Sequence, residues 1–373
     1  MKIAIVHDEL MRRGGAEQVV KCFLKAFPEA PVYTLAYRPE LTYPEFKNYK
    51  IYSSWYKSIA TNERKLKKYF FPLGILAMRQ LDVSIFDVIL ISSTYVAKYI
   101  NPNKNALVIN YCHQPFRLAW YPESYVEFVT AQGVKKLILN TVIQLLKKID
   151  FHYAAKTTFF IANTHETKVK IEETYKAKNP ITVIKPPVNC KKFFLSGTKQ
   201  DYYLMVNRLE YYKKVDLVID AFNTLGKKLI IVGKGSQEED LKKRAKKNII
   251  FQSSVTDTNL AKLYAECKGF IFPQLEDYGI TPLEANAAGI PVIAFGEGGV
   301  LETMLPYKGD ALQATALFFE EQSPESLIEA IQLYETLTFD KYFIRQHAEQ
   351  FDEEIFIKKI RYFVINKYDK LTQ

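Results

Sequence analysis

Short apolar runs alternate with longer amphipathic stretches along the chain, and this alternation occurs twice. In the first half, the runs predict strands at 3–6, 32–35, 88–92, 107–111 and 158–162, with helices that include 16–27 and 135–154. In the second half, similar runs predict strands at 202–206, 228–232, 249–252, 269–272 and 291–294. Strands that alternate with helices are typical of α/β proteins with parallel sheets, so we expect two doubly wound domains.

A break in the pattern separates the two alternations. Lys185-Pro186-Pro187-Val188-Asn189 interrupts regular structure, and a polar run follows at 196–201. The last pattern, at 352–368, is helical. We therefore predict a first domain at 1–187, a second at 188–350 and a C-terminal helix at 351–373, a division that suits a chain of 373 residues.

Composition indicates a globular protein, since 48% of the residues are hydrophobic and 25% are charged. The longest apolar stretch, at 69–78, is far shorter than the roughly 20 residues of a membrane-spanning helix. A predicted strand begins almost at once, so we expect no signal peptide. The four cysteines lack metal-type spacing, which favours reduced thiols in a cytoplasm; they are Cys22, Cys112, Cys190 and Cys267.

The net charge of +10 calls for a partner or a field that explains it. No nucleic-acid module is recognisable, so we expect no nucleic-acid partner. Arg64-Lys65-Leu66-Lys67-Lys68 is followed directly by the apolar run 69–76, and basic and apolar residues adjoin again at 135–139 and 145–148. Such contiguity favours peripheral contact between the first domain and an anionic membrane. The alternative is a buried helix whose lysines form its solvated flank.

The stretch 276–284 follows a predicted strand and opens a helix, with Thr281 as the expected N-cap and Pro282 in the first turn. Amides near Gly279, Ile280 and Thr281 would then face an anion. Glu276 precedes this anion site and Glu284 follows it. Carboxylates accept paired hydrogen bonds from diols, so we expect a nucleotide-sugar here, with Glu276 on the sugar. The alternative for Glu284 is a capping box with Thr281.

A second segment carries the opposite charge. Arg208 and Lys213 follow the predicted strand 202–206, at the end of the strand where open α/β sheets bind ligands. A guanidinium and an ammonium stabilise a departing diphosphate where no metal ion does so. No Asp-x-Asp pair stands in a suitable setting, so we expect neither a metal nor another cofactor.

Gly233-Lys234-Gly235 follows a predicted strand and begins like a dinucleotide-binding fingerprint. The third glycine of that fingerprint is missing, which argues against a nicotinamide-dependent dehydrogenase. We expect Gly233 to let the base of a donor nucleotide lie close to the backbone.

With these segments together, the chain resembles the retaining GT-B glycosyltransferases of family four, also called glycosyl transferases group 1, over nearly its whole length. Arg12-Arg13-Gly14-Gly15-Ala16-Glu17 is similar to the family's Gly-Gly-Ala-Glu loop, which places Gly14 and Gly15 at the donor. The segment 110–120 resembles the His-Thr-Pro-x-Arg-Tyr-x-Trp signature of a bacterial subgroup with many mannosyltransferases of surface polysaccharide assembly. Here Gln114 stands in place of the threonine and Leu118 in place of the aromatic residue.

The resemblance implies two Rossmann-like domains that face a central cleft, with a C-terminal helix that crosses back to the first domain. It implies hexosyl transfer with retention, with Glu276 on the donor sugar, Glu284 on the ribose, and His113 beside the sugar as a catalytic or orienting group. The residues to which it gives catalytic roles are His113, Arg208, Lys213 and Glu276.

The resemblance also bears on the substrates and the location. It favours GDP-mannose as the donor and a glycan or lipid-linked saccharide as the acceptor, with the enzyme on the inner face of the cytoplasmic membrane. Three alternatives stay open: transfer from a UDP-sugar, a sugar-nucleotide epimerase of the same fold, and a scaffold without turnover.

Overall fold

The computed structural model describes residues 1–62, 65–66 and 69–372. The chain divides into two compact units. Unit 1 comprises residues 1–186 and 356–373, and unit 2 comprises residues 187–355. The chain therefore returns to unit 1 at Phe356, a few residues later than the sequence pattern suggests.

Unit 1 contains a seven-stranded sheet in which all paired strands are parallel. In chain order the strands are β1 (Ile3–His7), β2 (Val32–Thr34), β3 (Ile51–Ser53), β4 (Val88–Ser93), β5 (Leu107–Cys112), β6 (Phe159–Ala162) and β7 (Thr182–Val183). The spatial order is β3-β2-β1-β4-β5-β6-β7, so the strand order reverses between β1 and β4. Ligands of open α/β sheets bind at such reversals, beyond the carboxyl ends of the strands.

The described residues of unit 1 before the domain boundary include the helices α1 (Gly15–Ala26), α2 (Ile75–Arg79), α3 (Arg117–Trp120), α4 (Val126–Val129), α5 (Gly133–Ala154) and α6 (His165–Tyr175). Successive residues of a strand point to opposite faces of the sheet, and the apolar side chains of both faces are covered by helices. In β1, Ala4 and Val6 belong to one apolar cluster. Ile5 belongs to the other.

Unit 2 repeats this plan with a six-stranded parallel sheet in the order β10-β9-β8-β11-β12-β13. Its strands are β8 (Tyr203–Val206), β9 (Leu229–Val232), β10 (Ile249–Gln252), β11 (Gly269–Phe272), β12 (Val292–Phe295) and β13 (Ala316–Phe319). Its helices are α7 (Val215–Leu225), α8 (Glu238–Arg244), α9 (Asp257–Glu266), α10 (Ile280–Ala287), α11 (Val300–Thr303), α12 (Pro324–Tyr334) and α13 (Lys341–Glu349). The order reverses between β8 and β11.

The final helix, α14 (Glu353–Thr372), contributes apolar side chains to unit 1. The Phe356 ring stacks on Phe23 of α1, with 6.2 Å between ring centroids. Ile360 and Val364 are fully buried one and two turns later. The i, i+4, i+8 spacing places these side chains on one face of the helix, which completes the core on that side of the sheet.

The predicted α/β class with two Rossmann-like sheets is confirmed. Three short strands that the sequence analysis omits, β3, β7 and β13, are also present. The predicted N-cap is wrong: α10 begins at Ile280 after Gly279, so Thr281 lies inside the helix. In the described part of the chain, none of the helices is both long enough and apolar enough to cross a bilayer.

Candidate functional site

The strand reversal of unit 2 is bridged by a pair of side-chain amides. Asn207 follows β8, Gln274 follows β11, and the Asn207 Nδ2 donates to Gln274 Oε1 at 2.9 Å. Gln274 is almost fully buried, at 1% exposure. The pair fixes the start of two loops that carry the predicted charged residues, so the positions of those residues depend on the two neighbouring strands.

Lys213 and Glu276 form an ion pair between these two loops. Lys213 lies at the end of a 3-10 turn, Tyr211–Lys213, and is buried. Glu276 retains partial exposure. The two residues that the sequence assigns to the diphosphate and to the sugar are thus in direct contact, and each neutralises a charge that would be costly to leave unpaired in a partly buried place.

Arg208 stands on the same loop as Lys213 and differs from it in exposure. Its side chain is exposed, and a guanidinium nitrogen donates to the Tyr212 hydroxyl at 2.5 Å. The Tyr212 ring lies 5.9 Å from the guanidinium carbon. The aromatic side chain therefore holds Arg208 at the carboxyl edge of the sheet while the guanidinium stays accessible to an anion.

The N-terminus of α10 lies on the loop after β11. Gly279 has φ +80, a conformation that favours glycine, and an added Cβ would lie 2.8 Å from Cζ of Phe272. Amides of the first helical turn have no intrahelical partner, so those of Gly279, Ile280 and Thr281 face outward, whereas Pro282 has none. The dipole of α10 favours an anion at this end.

Glu284 lies in the next turn of α10 and is bound from a neighbouring helix. Its Oε2 accepts a hydrogen bond from the Tyr264 hydroxyl of α9 at 2.8 Å. Burial raises the pKa of the Glu284 carboxyl above its ordinary value. The capping-box alternative is wrong, because Thr281 is not the N-cap and the cap residue Gly279 has no side chain. Capping of α10 therefore does not explain why a glutamate stands at position 284.

Two glycines of unit 2 permit loops to touch at their backbones. Gly233 has φ +151, and a Cβ there would overlap the carbonyl oxygen of Asn207. Gly298 has φ +75, and a Cβ there would lie 2.6 Å from the carbonyl oxygen of Glu276. Gly233 thus has a packing reason of its own, and its contact with a donor base stays a prediction. Because position 298 is a glycine, its backbone packs directly against the loop that carries Glu276.

In unit 1, His113 follows β5 at the carboxyl edge of the sheet and is linked to a second histidine. Its Nε2 lies 2.9 Å from the Ser92 hydroxyl of β4. The same hydroxyl lies 3.1 Å from Nδ1 of His7 at the end of β1. His7 Nε2 in turn lies 4.0 Å from Oε1 of Glu17. Three adjacent strand ends and α1 therefore share one polar network.

The pKa values of the two histidines in this network are shifted in opposite directions. Burial, reinforced by the nearby His7, lowers the pKa of His113 to about 4. Burial also lowers the pKa of His7, but the neighbouring Glu17 carboxylate outweighs burial, and the net shift of this pKa is upward. At neutral pH His113 is therefore an uncharged ring, able to donate or accept a hydrogen bond without adding a positive charge.

The glycine pair at the start of α1 packs on the same network. An added Cβ at Gly14 would lie 2.7 Å from Oε2 of Glu17, and Gly15 is the first residue of the helix. Arg12 Nε donates to Glu17 Oε1 at 3.2 Å, and its guanidinium also pairs with Glu9. Gly14 therefore leaves room for a carboxylate of this chain, and the contact of Gly14 and Gly15 with a donor stays a prediction.

Asp8 and the His7–Ser92 link are residues that sequence reasoning missed. The Asp8 carboxylate accepts hydrogen bonds from the amides of Val96 at 2.8 Å and Ala97 at 2.7 Å, which fixes the loop after β4. His7 and Ser92 are 85 residues apart, so local spacing carries no signal of their contact. The one available signal is that both stand at ends of predicted strands.

A metal site is not apparent from the side chains. Within residues 1–62, 65–66 and 69–372, no group of three or more His, Cys, Asp or Glu side chains is arranged to hold a metal ion.

Sequence comparison matches residues 190–353, nearly all of unit 2, to the family described as Glycosyl transferases group 1. The glycogen synthase of Mycoplasma mobile is 30% identical over 160 residues, which cover 40% of this chain and 32% of that protein. The alpha-1,3/1,6-mannosyltransferase ALG2 of Dictyostelium discoideum is 28% identical over 251 residues, covering 55% and 57%. The chain thus spans between a third and just over half of the length of these curated relatives.

Structural comparison extends over both units. The crystal structure of HepE from Anabaena, in complex with UDP, superposes with a TM-score of 0.71 at 15% sequence identity. The superposition covers 98% of this chain and 100% of that one. At this identity the likeness shows the fold, which is that of GT-B glycosyltransferases.

Proposed function

From the GT-B fold and the group 1 match of residues 190–353, we propose that the chain is a glycosyltransferase that moves a hexosyl group from a nucleoside diphosphate sugar to an acceptor hydroxyl, with retention at the anomeric carbon. The observation that carries the proposal is the contact between Lys213 and Glu276 at the strand reversal of unit 2. This contact unites an anion-binding group with a diol-binding group at the edge of the sheet where ligands bind.

The charges at this edge suit the reaction. The bond from the anomeric carbon to the β-phosphate oxygen breaks, and a bond from that carbon to the acceptor oxygen forms. Negative charge gathers on the departing diphosphate, where Arg208, Lys213 and the first amides of α10 stabilise it. The acceptor loses its proton to an oxygen of that diphosphate. A resident metal ion is not required by this scheme, because two cations and a helix terminus supply the positive charge.

The two glutamates bind the other two parts of the donor, the sugar and the ribose. Glu276 accepts hydrogen bonds from hydroxyls of the sugar, and its pairing with Lys213 supports a position where the sugar joins the diphosphate. Glu284 accepts from the ribose diol, oriented by the Tyr264 hydroxyl. His113, uncharged at neutral pH, hydrogen-bonds a hydroxyl of the sugar and is itself held by Ser92.

The donor we favour is GDP-mannose, because the relative ALG2 is named a mannosyltransferase and the signature at 110–120 points the same way. The acceptor we propose is a glycan or lipid-linked saccharide in bacterial surface polysaccharide synthesis. Transfer from a UDP-sugar is the second candidate, since HepE was crystallised with UDP. Calorimetric titration with GDP and UDP separates the two, because the preferred base binds more tightly.

A transfer assay tests the assigned roles. With the preferred donor and a saccharide acceptor, Arg208→Ala and Lys213→Ala should each lower turnover by about two orders of magnitude or more. Glu276→Gln should lower turnover by a similar factor, because the sugar contact and the ion pair with Lys213 are lost. The affinity for free nucleoside diphosphate should not fall, since Lys213 and Arg208 remain. Lys262→Ala, an exposed lysine on α9, is the matched control. Activity should persist in excess EDTA.

Three results would contradict these assignments. Near-normal turnover in any one variant removes that residue from the mechanism. Loss of activity in EDTA that magnesium or manganese restores overturns the metal-independent scheme. Interconversion of the donor sugar without transfer would indicate an epimerase.

We also propose that the protein contacts the inner face of the cytoplasmic membrane through unit 1. Of the basic segment predicted to do this, Arg64, Lys67 and Lys68 lie outside the described residues. The tyrosine and leucine that follow, Tyr69 and Leu76, are exposed at 41% and 47%.

A further inference from the structure

Helix α5 of unit 1 carries two apolar stripes on different faces. One stripe, formed by Ile143, Leu146 and Tyr153 with Ile149 beside them, is buried or partly buried against the core of unit 1. The second stripe consists of Val134, Leu137, Ile138 and Leu145. Counted from Val134, these positions are i, i+3, i+4 and i+11, which lie on one helical face, with the exposed Thr141 at i+7 between Ile138 and Leu145.

The second stripe is exposed to solvent rather than covered by the described residues. Val134 is 73% exposed, Leu137 67%, Ile138 58% and Leu145 47%. Val129, in the short helix just before α5, is 61% exposed. Single exposed apolar residues are common on protein surfaces, whereas four on one face of a helix mark a surface that meets another phase or molecule.

The charged residues of α5 itself along this stripe are of one sign. Between Glu127 and Asp150 the chain contains no acidic residue and four lysines: Lys135, Lys136, Lys147 and Lys148. Lys135 and Lys148 are exposed and lie near the two ends of the stripe. Lys136 is turned away from the stripe, since its ammonium donates to the Phe128 carbonyl at 2.7 Å and lies 3.5 Å from the centroid of the Phe128 ring.

Exposed apolar residues next to lysines, on a stretch of helix that carries no acid of its own, complement the surface of an anionic bilayer. Apolar side chains enter the boundary between head groups and acyl chains, while long cationic side chains reach the phosphates. Because its opposite face is packed against the core, α5 can lie on a membrane but not enter it.

We infer that the exposed face of α5, with Val134, Leu137, Ile138 and Leu145 and the nearby Lys135 and Lys148, is the surface by which this protein docks on anionic membranes. The inference deepens the membrane contact proposed above and is independent of whether the site in unit 2 transfers sugar. It assigns the contact to a helix rather than to the basic segment at 64–68.

Co-sedimentation with lipid vesicles tests the inference on the full chain. The wild-type protein should bind vesicles of phosphatidylcholine with phosphatidylglycerol and bind pure phosphatidylcholine vesicles much less. Leu137→Ser with Ile138→Ser should weaken binding by about tenfold or more, because two apolar side chains leave the interface. Lys135→Glu with Lys148→Glu should weaken it by about one to two orders of magnitude and reduce its dependence on salt.

Matched controls come from unit 2. Lys247→Glu with Lys308→Glu makes the same change of net charge at exposed lysines, and Leu312→Ser removes a leucine that is 55% exposed. Both controls should bind vesicles like the wild type. All variants should keep the wild-type unfolding temperature and affinity for the preferred nucleoside diphosphate, which separates membrane docking from the site in unit 2.

The inference is overturned if the wild-type protein ignores anionic vesicles, or if the α5 variants bind them as well as the controls do. It is also overturned if the wild type is a dimer that the Leu137→Ser and Ile138→Ser changes dissociate, because a second copy of the chain then covers this face.

Discussion

At the scale of single residues, the environment of His113 determines its charge. The ring is held by a hydroxyl rather than by a carboxylate, since Ser92 stands between it and His7. A carboxylate partner would favour the charged ring, whereas burial here lowers the pKa of His113 to about 4. The Glu17 carboxylate stands beside His7 and raises the pKa of that ring.

The first prediction concerns pH. Because the pKa of His113 is lower in the folded state than in the unfolded state, the unfolded chain takes up this proton first as the pH falls. The free energy of unfolding is therefore highest above pH 6.5, the ordinary pKa value, and decreases as the pH falls towards about 4. The His113→Gln variant, which lacks this titration, should therefore lose less stability than the wild type between these pH values. Chemical unfolding at a series of pH values measures the difference, and NMR titration should place the protonation midpoint of His113 near 4.

In that comparison, His152→Gln is the matched control, because His152 is an exposed histidine of α5. It should follow the wild-type pH profile. A protonation midpoint of His113 near 6.5 would show that the ring is charged in part at neutral pH and would contradict its assignment as an uncharged orienting group.

The second prediction separates a binding role of Glu284 from a structural one. Because its folded-state pKa is raised, the ionised carboxylate lowers the stability of the fold above its ordinary pKa, and Glu284→Gln removes that cost at pH 7. We therefore expect an unfolding temperature equal to or above that of the wild type. The affinity for the nucleoside diphosphate should fall by about tenfold, since the charged hydrogen bonds to the ribose are lost.

Differential scanning calorimetry and isothermal titration measure these two effects of Glu284→Gln. Tyr264→Phe removes the hydroxyl that orients the carboxylate and should weaken nucleotide binding by a smaller factor. Unchanged affinity in Glu284→Gln would return the residue to a structural role and leave Glu276 as the carboxylate assigned to the donor.

At the scale of elements, two of the three missed strands, β3 and β7, are short and not buried, whereas β13 has four residues and is mostly buried. Runs such as 203–206 and 269–272 are apolar throughout and buried, so their sequence is sufficient to identify them. The strands β3 and β7 have three and two residues, none of them buried. Their extended conformation depends on pairing with a neighbour at each edge of the sheet, which a local pattern does not reveal.

Sequence-based prediction of the candidate site has the same limit, because a local pattern does not reveal tertiary contacts. Charge and position after a strand identify Arg208, Lys213, Glu276 and Glu284 in the sequence. Their partners are set by tertiary packing: Tyr264 stands 20 residues before Glu284. The misplaced N-cap has a local cause, because Thr281-Pro282 matches the usual cap-and-proline order while the turn at Gly279 depends on contact with Phe272.

The third prediction tests how tightly the loops of unit 2 are joined. Gly233→Ala places a Cβ against the Asn207 carbonyl at a positive φ, so it should destabilise unit 2 by about 3 kcal/mol or more. Gly226→Ala is the matched control: φ is +68, but an added Cβ meets nothing within 4 Å, so the cost should be about 1 kcal/mol. Urea unfolding followed by circular dichroism compares the two. Equal losses of stability in the two variants would show that the loop after β8 shifts to accommodate the extra methyl group.

At the scale of the whole molecule, each unit has an apolar core of its own. The clusters that contain Ile5 and Val6 belong to unit 1, and those that contain Leu204 and Met205 belong to unit 2. Proteins with more than one core often unfold in more than one step. The chain contains two tryptophans, Trp55 and Trp120, and both lie in unit 1. Tryptophan fluorescence therefore reports on unit 1, whereas circular dichroism reports on both units.

The last prediction uses this difference to locate nucleotide binding. A nucleoside monophosphate offers a base, a ribose and one phosphate, all of which we assign to unit 2, and a ligand at a hundredfold excess over its Kd stabilises the folded state that binds it by about 2.7 kcal/mol. The midpoint of thermal unfolding of unit 2, seen by circular dichroism, should rise with nucleotide concentration, while the tryptophan midpoint stays constant. Glu284→Gln should need more nucleotide for the same rise. Equal shifts in both signals, or a shift in the tryptophan signal alone, would contradict the assignment of the nucleotide to unit 2.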